Sequence, residues 1–177
     1  MAKQISQTYG NALFELAVEQ NNLDQMMQEV VFIKQCLEEN EDLIKVLNHP
    51  KIPKDEKKTL VETVFKGQVS EEMSGFLAIL LEKDRQSGVF GIFDYFMHCA
   101  KEYKKIGELY VTSAVTLTPV QKQQIEARVL ELTSYVSLEV KYDVDESLIG
   151  GLVLRINDRI VDSSIKTKLA NMTKSLL

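Results

Sequence analysis

"EYKKIGELYVTSAVTLTP", residues 102–119, is where this chain changes character. Before it, apolar residues recur every three or four positions, the spacing of a buried helical stripe. After Gly107 the run "LYVTSAVTL" is rich in β-branched residues, whose stiff χ1 suits a pleated strand. Thr118 and Pro119 then turn the chain back to helix. Thr118 and Gln121 have capping-box spacing, and proline fits the first turn. The break at Gly107 predicts two domains, residues 1–106 and 107–177.

Working upstream, the pattern reads as six helices. Ile5, Tyr9, Ala12, Leu13 and Leu16 recur at helical spacing, and Asn21-Asn22 closes that segment. Residues 23–38 carry Met26, Met27, Val30, Phe32, Ile33 and Leu37 in the same way. Asn40 is placed to cap a short third helix holding Leu43, Ile44 and Leu47. In "HPKIPKDEKKTLVETVFKG", Pro50 excludes helix before it and Pro53 suits a first helical position. Asp55 and Glu56 favour the positive end of the dipole, and Gly67 fits just past the end. Ser70 caps a fifth helix, and a sixth spans about residues 89–105.

Downstream, "VSLEVKYDV" sets Val136, Leu138, Val140, Tyr142 and Val144 against Ser137, Glu139, Lys141 and Asp143. A period of two is a strand with one wet face. A strand through Ile156, a turn at Asn157-Asp158 and a return strand at 159–161 follow. Asp162 or Ser163 then caps a last helix carrying Ile165, Leu169, Met172 and Leu176. The expected fold class is α+β: an N-terminal six-helix bundle followed by a small C-terminal α/β domain in the order β-α-β-β-β-α.

Composition narrows the function. The chain has 177 residues, 45% apolar and 27% charged, with a net charge of −5. Nucleic-acid binders need a basic face, because phosphate neutralisation dominates their affinity. Lys54, Lys57 and Lys58, like Lys101, Lys104 and Lys105, are interleaved with acids or lie at a helix end, so nucleic acid is not an expected partner. No apolar run approaches the roughly 20 residues needed to span a bilayer. The first ten residues lack the apolar core of a secretory signal.

No catalytic constellation is legible either. A phosphate-binding glycine loop follows a strand and opens a helix. Gly150-Gly151 instead precedes apolar LVLRI and enters a strand, as a bulge or a close backbone approach does. Cys36 and Cys99 have no metal-ligand spacing, and His98 and Cys99, being adjacent on a helix, point about 100° apart. No metal, cofactor or catalytic residue is therefore expected. A small enzyme built on Gly150-Gly151 or Cys36 ranks below the other readings.

What the helices do show is apolar surface in excess of one stripe. Tyr9, Ala12, Leu13 and Leu16 form one face of the first helix, and Gly10, Phe14 and Ala17 a second. On the fifth, Met73, Phe76, Leu77, Leu80 and Leu81 form a broad face that Gly75, Ala78 and Ile79 extend. Such a helix is either central in its bundle or docks a partner helix.

These stretches together resemble one family, the delta subunit of the F-type rotary ATP synthase, called the oligomycin-sensitivity-conferring protein in mitochondria. The carriers are "QTYGNALFELAVEQ", "LNHPKIPKDEKKTLVETVF", "YVTSAVTLTPVQKQQI" and, most specifically, "VDESLIGGLVLRINDRIVDSSIKTKL". Gly10 departs from the alanine that many members carry. The resemblance implies a non-catalytic stator subunit at the cytoplasmic face of the cell membrane, reaching the membrane only through the complex. It implies a helical domain that receives the N-terminal helix of an α subunit in a groove of its first and fifth helices. Tyr9, Leu13, Phe14, Ala17, Phe76, Ile79 and Leu80 are the residues expected there or in its support. It also implies an α/β domain that engages b-type stalk subunits, with Gly150, Gly151, Asp162 and Ser164 as a structural signature. The alternative is an RNA-binding regulator of the antitermination type, which compact helical bundles also serve.

Overall fold

The computed structural model describes residues 2–157 and 159–175. Asp158 and Leu176, expected in the hairpin turn and on the last helix, lie outside the described residues. The fold class is α+β, and the chain divides into two compact units, Met1–Ala100 and Lys101–Leu177.

The first unit is built from α1 (Ala2–Glu19), α2 (Leu23–Glu39), α3 (Glu41–Asn48), α4 (Lys54–Phe65), α5 (Glu71–Glu82) and α6 (Val89–Tyr103). Their stripes meet in one core, in which Leu13, Met26, Ile33, Met73, Ile92, Phe93 and Phe96 are fully buried. Each such side chain contributes about 1.5–3 kcal/mol by leaving water. Gly10 allows α1 to approach α6 closely. A Cβ there would stand 2.7 Å from the Tyr95 ring and 3.1 Å from the Ile92 carbonyl oxygen.

Polar groups fix the helix ends. Glu29 of α2 is buried, and its carboxylate accepts from the Ser70 amide at 3.0 Å, the Ser70 hydroxyl at 2.7 Å and the Gln25 amide at 2.8 Å. Ser70 in turn caps α5 by accepting from the Met73 N–H at 3.3 Å. The carboxylate is thus held by three donors at the positive end of the α5 dipole. Three local expectations need correction. Pro53 is the residue before α4 rather than its first helical position. Asn40 makes no cap to α3, because its side-chain amide donates back to the Cys36 carbonyl at 2.8 Å. Helix α6 ends at Tyr103, before Lys105 takes a positive φ of 54°.

The second unit contains β1 (Ile106–Ser113), α7 (Pro119–Leu132), β2 (Ser137–Val144), β3 (Leu152–Ile156), β4 (Arg159–Asp162) and α8 (Ile165–Ser175). Its sheet runs β2-β1-β3-β4, parallel between β1 and β2 and antiparallel elsewhere. A parallel pair needs a crossover, and α7 supplies it. Thr118 and Gln121 start that helix with a full capping box. Leu109 and Val111 of β1 and Val129 of α7 are buried together, with Leu138, Val140, Leu154 and Ile156 around them. On the opposite face, Lys141 and Arg155 flank the Tyr110 ring at 5.3 and 5.8 Å, as their register positions require.

Strand β1 stops at Ser113 rather than running to Leu117. Its neighbours end level with it, since Ser113 pairs with Val144 on one side and Leu152 on the other. Without partners, β-branched residues do not make a strand, and the Ser113 hydroxyl bends the chain by donating to the Val115 carbonyl at 2.7 Å. Strand β2 likewise begins at Ser137, leaving Val136 outside it and exposed. The division between the units falls within α6. Lys101 opens the second unit, and its ammonium bridges Glu108 at 2.5 Å and Glu139 at 2.8 Å within it. Burial opposes the Lys101 charge, but the two carboxylates outweigh it and hold the pKa above the ordinary lysine value.

Candidate functional site

The glycine pair sits between a single 3₁₀ turn, Glu146–Leu148, and β3. Gly151 has a φ of +84°, and a Cβ on it would lie 2.5 Å from the Ser163 carbonyl oxygen. The Gly150 carbonyl accepts from the first amide of α8, Ile165 N–H, at 2.9 Å. Ser164, rather than Asp162 or Ser163, caps that helix, accepting from Thr167 N–H at 3.2 Å. Asp162 supports the cap from two residues further out. Its carboxylate accepts from the Thr167 hydroxyl at 2.7 Å and the Ser164 amide at 2.8 Å, which hold its pKa below the usual carboxylate value. The amides of Ile149, Ser164, Ile165 and Thr167 already have partners, and the loop joins β3 to α8 through its backbone.

Among the described residues, no three His, Cys, Asp or Glu side chains are grouped to hold a metal. His49 Nδ1 accepts from the Lys51 amide at 3.2 Å, and the Cys99 thiol donates to the Asn11 side chain at 3.7 Å. Tyr142 donates to Glu126 at 2.7 Å; burial first, then that carboxylate, raise its pKa well above the usual tyrosine value. These contacts serve packing.

The expected groove residues separate into two sets. Leu13, Ala17, Phe76 and Leu80 are buried in the core and expose little or no surface. Tyr9 and Phe14 are half-buried against that core, and Ile79 is 50% exposed. The apolar surface of α5 thus continues past the core onto its outer side.

One larger feature escaped the sequence reading. In the second unit an apolar cleft of about 660 Å³ opens between α7 and the sheet. Gln121, Ile125, Arg128 and Leu132 of α7 form one wall, and Ala114, Val115, Leu117 and residues 149–152 line the rest. Val115, Leu132 and Ile149 line it and are 69%, 70% and 66% exposed. On α8, Ile165, Leu169 and Met172 form a further exposed stripe. No local pattern marks the cleft, because its walls come from three separate stretches of chain. The only sequence signal was an apolar residue in each connecting segment.

Each of the two units thus keeps exposed apolar surface, Ile79 on one and the cleft on the other. Comparison with known proteins gives the family. Residues 5–176 match the family described as ATP synthase delta (OSCP) subunit. The ATP synthase subunit delta of Lachnoclostridium phytofermentans is 50% identical over 176 residues, spanning 99% of this chain and 97% of that one. The namesake from Desulfitobacterium hafniense is 38% identical over 172 residues, spanning 97% and 96%. A chain of the Toxoplasma gondii mitochondrial ATP synthase hexamer shares the fold, with a TM-score of 0.73 at 16% identity over 97% of this chain and 96% of that one. The chain belongs to the ATP synthase delta (OSCP) family: it is a peripheral-stalk component of the F-type enzyme, structural rather than catalytic. The RNA-binding alternative has no support.

Proposed function

We propose that each unit holds a different partner. The helical unit, residues 1–100, receives the N-terminal helix of an α subunit against α1 and α5. The α/β unit, residues 101–177, receives b-type stalk subunits in the cleft beside α7. The observation that carries this reading is that each unit keeps its own uncovered apolar surface, Ile79 on one and the cleft on the other. Tyr9, Phe14 and Ile79 then touch the α helix, while Leu13, Ala17, Phe76 and Leu80 hold α1 and α5 in place behind them. Gly150, Gly151, Asp162 and Ser164 keep β3 and α8 joined at the cleft mouth.

The mechanical logic follows. Rotor torque spins the catalytic head unless a stator resists it, and resisting it needs contacts that dissociate slowly. Apolar side chains seated in pockets supply slow dissociation. No helix among the described residues is long and apolar enough to cross a membrane, which fits attachment to the cytoplasmic face of the cell membrane through the complex.

The test is calorimetric titration of the full chain with two synthetic helices, one from the cognate α N-terminus and one from the stalk subunit's C-terminus. Ile79→Asp should weaken only the first and Leu132→Asp only the second. Unchanged binding of both peptides by both variants would sink the assignment.

A further inference from the structure

Among the described residues, five that are not glycine take a positive φ: Asn21, Asp84, Lys105, Ile149 and Asn157. Asparagine and aspartate tolerate this region, and lysine has an unbranched Cβ. Ile149 is the exception. At φ 66° and ψ −37° it lies outside the left-handed helical basin, close to the strained γ-turn, with two heavy atoms on its Cβ. The backbone path is imposed from both sides. Ile149 N–H donates to the Glu146 carbonyl at 3.1 Å, and the next residue's carbonyl takes the first amide of α8 at 2.9 Å. Glycine would follow the same path without strain. Burial does not compensate for the isoleucine either, since it is 66% exposed. What isoleucine adds is an apolar side chain standing at the mouth of the cleft.

We propose that Ile149 is a binding anchor, kept at a cost to the free protein because it seats the apolar face of a stalk-subunit helix in the cleft; this rests on the reading above. The cleft is long and apolar enough for that occupant. The α7 wall runs from Gln121 to Leu132, about 16 Å at the helical rise, or three turns of an opposing helix. Gln121 and Gln124 at its rim are neutral, and the Arg128 guanidinium also pairs with Glu131 at 2.8 Å on the exposed side. Ile149, Val115 and Leu132 then meet residues spaced three and four apart along the partner helix.

Two variants of the full chain test this, each titrated with a synthetic C-terminal helix of the cognate stalk subunit and melted without it. Ile149→Gly removes both side chain and strain. It should bind about 10- to 100-fold more weakly, as loss of an interface anchor does, while melting no lower than wild type. Ile149→Ala should lose affinity in the same range. Wild-type affinity in both variants would overturn the anchor while leaving the stalk reading intact. A lower melting temperature for Ile149→Gly would also overturn it, by showing that the free protein needs the isoleucine. A wild-type chain that does not bind the peptide would sink the stalk reading and this inference together.

Discussion

The two units use apolar residues differently. Among the described residues, eighteen buried apolar side chains form one cluster in the helical unit, whereas the cluster under the sheet holds three. Among the described residues up to Ala100, the most exposed large apolar side chain, Val31, is 53% exposed, a value that Val115, Leu132, Val136 and Ile149 all exceed in the other unit. Helices packed on all sides can enclose their stripes. A four-stranded sheet with one crossover helix leaves part of a face uncovered. The helical unit is therefore expected to be self-sufficient in stability, and the α/β unit to reach full order against a partner.

The strongest challenge to this contrast is a cavity in the larger core. Phe93→Ala should cost the helical unit about 3–5 kcal/mol. A urea melt followed by far-ultraviolet dichroism reads the loss, and a change under 1 kcal/mol would mean the core is less close-packed than its burial shows. Next comes the junction of the smaller unit. Gly151→Val sets a branched side chain at positive φ against the Ser163 backbone, for a loss of roughly 2–4 kcal/mol. Amide exchange should accelerate through β3, β4 and α8 while α1–α6 stay protected, and wild-type exchange would refute the close approach.

A subtler test concerns the buried carboxylate of the helical unit. Glu29→Ala leaves the Ser70 amide and hydroxyl without their acceptor, at about 1–3 kcal/mol. The variant should fray α5 first, seen as faster exchange of its early amides. The smallest effect is in pH. Because the Thr167 hydroxyl and Ser164 hold the folded Asp162 pKa below its ordinary 3.8, its contribution is present above that value. It is lost as pH falls through the lower folded value. Proton-resolved titration should show the Ser164 and Thr167 amides shifting below pH 3.8, and Asp162→Asn should abolish the shift.

Much of this architecture was legible locally. The capping box at Thr118, the cap at Ser70 and the left-handed glycine after α4 announce themselves, because each acts within four residues of itself. Local reasoning failed where a competing local bond won. Asn40 had a free choice of acceptor and turned back to Cys36, and Ser164 took the cap offered to Asp162 and Ser163. All seven expected groove residues stand out in the sequence by their apolar character, but periodicity could not separate the four in the core, Leu13 among them, from Ile79 on the surface.

The sequence by itself determined which segments are helix and which are strand, where the chain changes from one regime to the other, and the family to which it belongs. Periodicity, caps and glycines are properties of neighbouring residues. Tertiary structure alone decided that β1 ends at Ser113, that Gly10 meets α6, and that Val115, Leu132 and Ile149 share one uncovered cleft. Strand pairing and burial depend on what arrives from elsewhere in the chain, and no window of adjacent residues contains that information.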